Sequence, residues 1–374
     1  MSEIRIQTLT PIHIGSGEFL RNNADFVTFE EKGRPYVGIV DPKKVLELIG
    51  EESMDEWLAS IERAENIQEF VSLRNAHALP TDYILRKLDN KVASIKDGDT
   101  LKMCIHNGMG KPYIPGSSIK GAIRTAVLAS LSKTETALKH IVIEKYKGKK
   151  DVSAKSVEAE IFGGDPNSDF FRFVKVGDAY FDCGCEFVDR LINLNIRENT
   201  KNLIDKGKAQ LVEAINVGQS TNFMMKVDKT AYDNARNHWS GSKPLGTMPE
   251  TMKDIASLFV LINAHSTKLV NDEINYWKGL KGKSGASEYV LNMENILHEI
   301  RQCVSGKECV LRIGHASGWR FMTGAWPEDL KNFKSDIVPA SRYNNKIYTQ
   351  YDFPKSRRLD EKSGIWGFVK LSVE

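Results

Sequence analysis

Cysteine is scarce and poorly spaced for chemistry. The 374-residue chain holds five, Cys104, Cys183, Cys185, Cys303 and Cys309. An odd number without one C-x-x-C pair argues against both a zinc ribbon and a disulfide framework, and predicts buried, reduced thiols. Long apolar runs are missing too: none nears the roughly 18 residues of a membrane-spanning helix. The opening MSEIRIQTLT goes straight into strand-like alternation, without the basic-then-apolar layout of a signal peptide. Cytoplasmic residence and no membrane partner are therefore expected. Charge of one sign is also lacking, since 52 Lys and Arg against 49 Asp and Glu leave a net +3. That is far from the basic excess that by itself implies nucleic acid, so any such contact must come from local patches. A nucleotide loop is absent as well: K-G-L-K-G-K-S-G at 278–285 contains GKS, but lacks the four-residue gap of a P-loop and follows a helix. Asp25, Asp41, Asp178 and Asp182 are scattered, so nothing asks for a metal, and no cofactor is expected.

What is present is an ordinary globular balance, 41% hydrophobic and 27% charged, with enough length for two cores. The first forty residues alternate as strands around Pro11 and Gly15. Asp41-Pro42 has the pattern of a helix cap and first turn, and 53–77 continues as amphipathic helices. Thr100 to His106 reads as a strand, followed by a helix over 117–132 whose Ile119, Ala122, Ile123, Ala126 and Val127 form one stripe. The charged KYKGKKD at 145–151 reads as a solvated connection, and 171–181 as one strand or two with a turn at Gly177-Asp178. The pattern then restarts, with strands at 187–197, 209–217 and 223–227, helices near 248–278 and 286–304, and strands at 308–314 and the C terminus. This predicts an α+β protein of two halves, 1–186 and 187–374, each an antiparallel sheet with helices on one face.

Three segments could carry function. TPIHIGSGE, 10–18, has Gly15 and Gly17 around Ser16, a turn that lets backbone amides face outward. YIPGSSIKGAIR, 113–124, starts a helix with Ser117 or Ser118 as cap and sets Lys120 and Arg124 on one face, a combination suited to an anion. LRIGHASGWRFMTG, 311–324, combines Gly314, Gly318 and Gly324 with Arg312, His315, Trp319 and Arg320. Such a loop admits a backbone closely and supplies cations and an aromatic, as single-stranded RNA requires.

Together these segments resemble the RAMP superfamily of CRISPR-associated proteins, in particular the type III-A (Csm) subunits. TPIHIGSG resembles that family's first strand and turn, and YIPGSSIKGAIRTAVL its most recognisable motif. IFGGDPNSDFFRFVKVGDAYF, 161–181, resembles a segment ending in Asp178-Ala179. RIGHASGWRFMT, PKSRRL (354–359) and WGFVKL (366–371) look most like the family of the fifth Csm subunit. No such match covers 41–100 or 240–305. The resemblance implies tandem ferredoxin-like (RRM-like) domains with helical insertions. It also implies a crRNA-binding subunit that caps the backbone filament near the crRNA 3′ region and supports crRNA maturation in antiviral defence. Implied partners are crRNA, the other Csm subunits (above all the repeating backbone subunit) and host ribonucleases. By matching positions the RNA-facing residues are His13, Gly15, Ser117, Lys120, Arg124, Gly314, His315, Gly318 and Arg320, with Lys226 and Lys229 behind them.

No catalytic residue is expected. The alternative is a metal-independent endoribonuclease processing precursor crRNA, for which His13, His315 and Tyr36 are the available acid–base groups. His13, set between Ile12 and Ile14, reads better as a satisfied structural histidine. A protein-only scaffold would leave the loops of glycines and cations unexplained.

Overall fold

The computed structural model describes residues 1–63, 65–134, 155–196, 201–280, 282–331, 333–341 and 354–374. The connection at 145–151 lies outside them. The first strand, β1 (Ser2–Thr8), alternates as expected: Ile4, Ile6 and Thr8 point into the core and Glu3 and Arg5 to solvent. It is the middle strand of a five-stranded antiparallel sheet. On one side it pairs with β15 (Phe368–Val373), which pairs with β13 (Glu308–Arg312). On the other it pairs with β12 (Ser220–Val227), which pairs with β8 (Val174–Val176).

Two helices cover one face of this sheet. The apolar stripe of α4 (Gly116–Thr134) and Leu258, Phe259 and Ile262 of α7 (Ile255–Lys278) share a core with Ile4, Ile6, Phe223, Met225 and Leu311. Each such side chain contributes roughly 1.5–3 kcal/mol by leaving water. The helix expected from 248 starts at Ile255, because Asp254 caps it by accepting from the Ser257 amide at 2.7 Å. α7 also packs on α8 (Ala286–Gln302), enclosing Trp277, Tyr289 and Met293.

The second sheet has eight strands and is mixed. Its order is β2 (Gly15–Arg21), β6 (Thr100–Cys104), β11 (Ile204–Ile215), β10 (Glu186–Asn195), β5 (Ile84–Asn90), β4 (Arg34–Val40) and β3 (Phe26–Glu31). β14 (Ser356–Asp360) adds to β10 over Leu191 to Asn195. The pairings β5–β10 and β6–β11 are parallel. The helices α1 (Pro42–Ile49), α2 (Met54–Glu62) and α3 (Ile67–Arg74) close the β3–β4 end through Val45, Trp57 and Phe70. Asp41 caps α1 as the sequence suggested, its carboxylate accepting from the Lys43 amide at 3.0 Å.

Strands from both sides of residue 186 share both sheets: β1 sits between β12 and β15, and β5 and β6 flank the β10–β11 hairpin. The division into 1–186 and 187–374 therefore divides the sequence but not the sheets. The crossing between sheets is residues 9–14. There Ile12 and Ile215 exchange backbone hydrogen bonds at 3.1 and 2.8 Å, Gly367 donates to the Pro11 carbonyl at 2.9 Å, and His315 donates to the His13 carbonyl at 3.0 Å. This seam places the glycine-rich loop after β13 against the turn before β2.

Candidate nucleic-acid interface

Gly314 makes the seam possible. Its φ is +82°, and a Cβ there would lie 2.6 Å from the His13 carbonyl oxygen, so only glycine brings the two loops this close. A cleft of about 330 Å³ opens between them, lined by His13, Gly15, Gly314 and His315 and continued by Phe19, Lys102 and Ser118. Four of the residues expected to face RNA thus meet in one place although 300 positions separate them in sequence.

His13 is buried, and its Nδ1–H donates to the Glu213 carbonyl at 2.6 Å. Its Nε2 turns toward Gly15, where a Cβ would come within 3.0 Å. Burial depresses its pKa, the Glu213 hydrogen bond opposes this, and Lys102 depresses it further. His315 stands edge-on to it with centroids 5.6 Å apart. Its Nε2–H donates to Gln210 at 2.8 Å. Desolvation, with Lys102, His13 and Arg358 nearby, brings the His315 pKa down to about 4. Both rings are neutral at pH 7, so neither supplies positive charge.

Lys102 and Arg358 supply it instead. Desolvation and Arg358 lower the Lys102 pKa, and desolvation lowers that of Arg358. Arg358 donates to the Lys208 carbonyl at 2.9 Å. Among the described residues no carboxylate pairs with either; Glu18 at the rim pairs with neither. Two neighbouring cations that no carboxylate among the described residues offsets raise the local potential and suit an anionic ligand. Sequence reasoning missed Phe19, Lys102 and Gln210, which are unremarkable within their strands and acquire meaning only from the pairing of β2, β6 and β11. Arg358 lay in the matched PKSRRL segment without being singled out.

The helix start is less available than its sequence implies. The Gly116 amide donates to Asp178 at 2.7 Å and the Ser118 amide to the Pro115 carbonyl at 2.9 Å. Ser117 is exposed and Ser118 lines the cleft. Lys120 is half-buried beside the Phe171 ring, with no ion pair among the described residues. Burial lowers its pKa, Asp169 raises it and Arg124 lowers it. Arg124, by contrast, is engaged: it meets Asp169 at 2.8 Å and Glu158 at 3.3 Å and stacks 3.6 Å over Phe162.

Arg320 is also turned inward. Buried, it bonds Glu273 at 2.5 Å and Glu328 at 2.7 Å. Arg357 grips both Glu273 oxygens at 2.6 Å, and the Tyr289 hydroxyl donates to the same Glu273 carboxylate at 2.5 Å. These contacts anchor the loop after Gly318 (φ +77°) and β14 onto α7. Lys226 pairs with Asp228 at 3.0 Å and Lys229 with Asp233 at 2.5 Å. Tyr36 is on β4, five strands from β2, roughly 24 Å at about 4.8 Å per strand.

Cys104, Glu186 and Glu213 have ligand atoms within 4.8 Å of one another, near the His13 end. Both carboxylates are already taken: Arg86 donates to Glu213 at 2.5 Å and to Glu186 at 3.1 Å, and His106 lies 3.0 Å from Glu186. The arrangement is a compensated internal ion cluster and fits a metal poorly. All five thiols are free. Cys104 and Cys309 are buried as expected, whereas Cys183, in the turn after β9 (Ala179–Tyr180), is exposed.

Among the described residues no helix is long and apolar enough to cross a membrane. The chain is 28% identical over 188 residues to the CRISPR system Cms protein Csm5 of Methanocaldococcus jannaschii; this covers 47% of this chain and 42% of that protein. Its match thus spans less than half the length of that relative. The fold is similar to a chain of the cryo-EM structure of a Csm-crRNA-target RNA ternary complex of a type III-A CRISPR-Cas system, with a TM-score of 0.71, 19% identity and complete coverage of both chains. The crystal structure of T. onnurineus Csm5 is similar as well, with a TM-score of 0.66, 19% identity and coverage of 98% and 99%. The RAMP superfamily matches residues 5–358, nearly the whole chain, and the protein belongs to that superfamily.

Proposed function

We propose that the chain is a crRNA-binding, non-catalytic subunit of a cytoplasmic type III-A CRISPR interference complex. In this reading it caps the backbone filament near the crRNA 3′ region and supports crRNA maturation. Its partners are crRNA, the other Csm subunits and, at maturation, host ribonucleases. The cleft carries the reading: glycines open a path for a backbone, neutral His13 and His315 offer hydrogen bonds, and Lys102 lines it with Arg358 close enough to depress its pKa, neither paired with a carboxylate among the described residues. Gly15, Ser117, Lys120, Gly314 and Gly318 complete the RNA-facing set, with Arg124 and Arg320 as supports. With β13 taken as an added edge strand, the order β1–α4–β8–β12–α7–β15 matches the pattern of a ferredoxin-like unit. It supports that assignment for the first sheet, drawn from both halves of the chain. The second sheet departs from the pattern in its two parallel pairings.

Binding of single-stranded RNA, alone or joined to the backbone subunit, should weaken steeply with salt. Lys102→Ala and Arg358→Ala should each lower the log–log slope by about 0.7. Binding that is absent or indifferent to salt overturns the reading. One observation favours an endoribonuclease, the His13–His315 pair beside Lys102. Neutral imidazoles can accept a proton, but the His13 Nδ1 is committed to Glu213, and neither ring is protonated at pH 7 to serve a leaving oxygen. Metal-free cleavage of precursor crRNA, lost in His13→Ala or His315→Ala, would establish that reading instead.

A further inference from the structure

Phe19 is 57% exposed, whereas every other described phenylalanine is buried or half-buried. The ring does not hang on a loose loop: β2 holds it, and its partner in register on β6 is Lys102. The Lys102 ammonium lies 5.6 Å from the ring centroid, within cation–π range. Arg358 is near enough to lower the Lys102 pKa, and among the described residues it pairs with no carboxylate. Beside the ring the cleft floor is glycine, and at Gly17 (φ +94°) an added Cβ would meet nothing within 4 Å. The volume of about 330 Å³ is that of a small-molecule pocket, enough for one nucleotide.

We infer that Phe19 and Lys102 form a seat for one unstacked nucleobase of a single-stranded RNA, with the base on the Phe19 ring and its phosphate between Lys102 and Arg358. This rests on the single-stranded RNA reading and adds what that reading leaves open, the residues that seat a base. An exposed aromatic ring offers a face that any base can stack on, so the seat tolerates sequence. A duplex keeps its bases stacked inside the helix and presents no such face, so the seat rejects double strands. Glu18 at the rim repels a second phosphate on that side, which favours a single seated nucleotide over a continuous track.

The full-length protein should bind a short oligouridylate and an oligoadenylate comparably, and the matching duplex much more weakly. Stacking of one base corresponds to roughly a five- to 150-fold effect on affinity. Phe19→Leu should weaken single-strand binding within that range and leave the salt slope unchanged, while Phe19→Trp keeps the affinity. In an oligonucleotide with single abasic positions, one position should lose affinity in the wild type and lose nothing further in Phe19→Leu. Since Phe19 is exposed, these variants should fold, and an unchanged circular dichroism spectrum confirms it. If the wild type binds RNA with normal salt dependence and Phe19→Leu binds equally well, the seat is wrong and RNA binding stands. If Phe19→Leu instead loses a partner subunit while keeping RNA affinity, Phe19 is a protein contact and the seat is again overturned. If the wild type binds no RNA at all, both readings fall together.

Discussion

Gly314 has no room for a side chain. Gly314→Ala asks an L-residue to hold φ +82° with its Cβ 2.6 Å from a carbonyl oxygen. We expect a loss of about 1–3 kcal/mol in denaturant unfolding, with the His13–His315 contact opened. His315 yields a second test. Its folded pKa of about 4 lies below the ordinary 6.5, so between those values the unfolded chain binds a proton that the folded one does not. Stability from this group is complete above pH 6.5 and declines as pH falls toward 4. His315→Gln should flatten the stability profile in that window, and an unchanged slope would contradict the burial argument. Both residues were singled out from sequence. The reason they matter was not legible there, because it lies in a contact with a residue 300 positions away.

At the scale of an element, α4 depends on a cap that its own sequence does not contain. Ser117 and Ser118 suggested local capping, but Asp178 reaches the Gly116 amide at 2.7 Å from another segment. It can do so because Gly116 leaves its approach open: a Cβ there would lie 2.3 Å from the Val176 carbonyl. Asp178→Ala should cost about 1 kcal/mol, seen as a lower melting temperature. The helix α7 carries the opposite case. Glu273 was not noticed in the sequence, yet it is fully buried and its pKa is about 2: desolvation alone would raise it, and Arg357, Arg320 and the Tyr289 hydroxyl together hold it down. Glu273→Gln leaves two buried guanidinium groups under-compensated and should cost about 3–5 kcal/mol. Because the folded pKa is below the ordinary carboxylate value, this stabilisation is present above about pH 4.5 and is lost as pH falls toward 2. Acid unfolding followed by tryptophan fluorescence should show that loss in the wild type and not in the variant.

At the scale of the whole molecule, β1 is the keystone, since residues 2–8 pair with β12 and β15 from the far half of the chain. Residues 1–186 and 187–374 expressed apart should therefore show little cooperative unfolding, and co-expression should restore it. Two independent melting transitions from the separate pieces would show that the interleaving is dispensable. The sequence by itself determined the α+β class, the stripe of α4, the caps of α1 and the glycines of the seam, because periodicity, capping and turn chemistry act over a few residues. It also placed Arg124 and Arg320 among ligand-facing cations, and only the tertiary structure could reveal the carboxylates that occupy them. Lys102 and Phe19 went the other way: ordinary strand residues in sequence, they stand beside an open cleft once β2 and β6 pair. What a charge or a ring can bind depends on which neighbours already satisfy it. Those neighbours are chosen by long-range strand pairing, which local pattern does not encode.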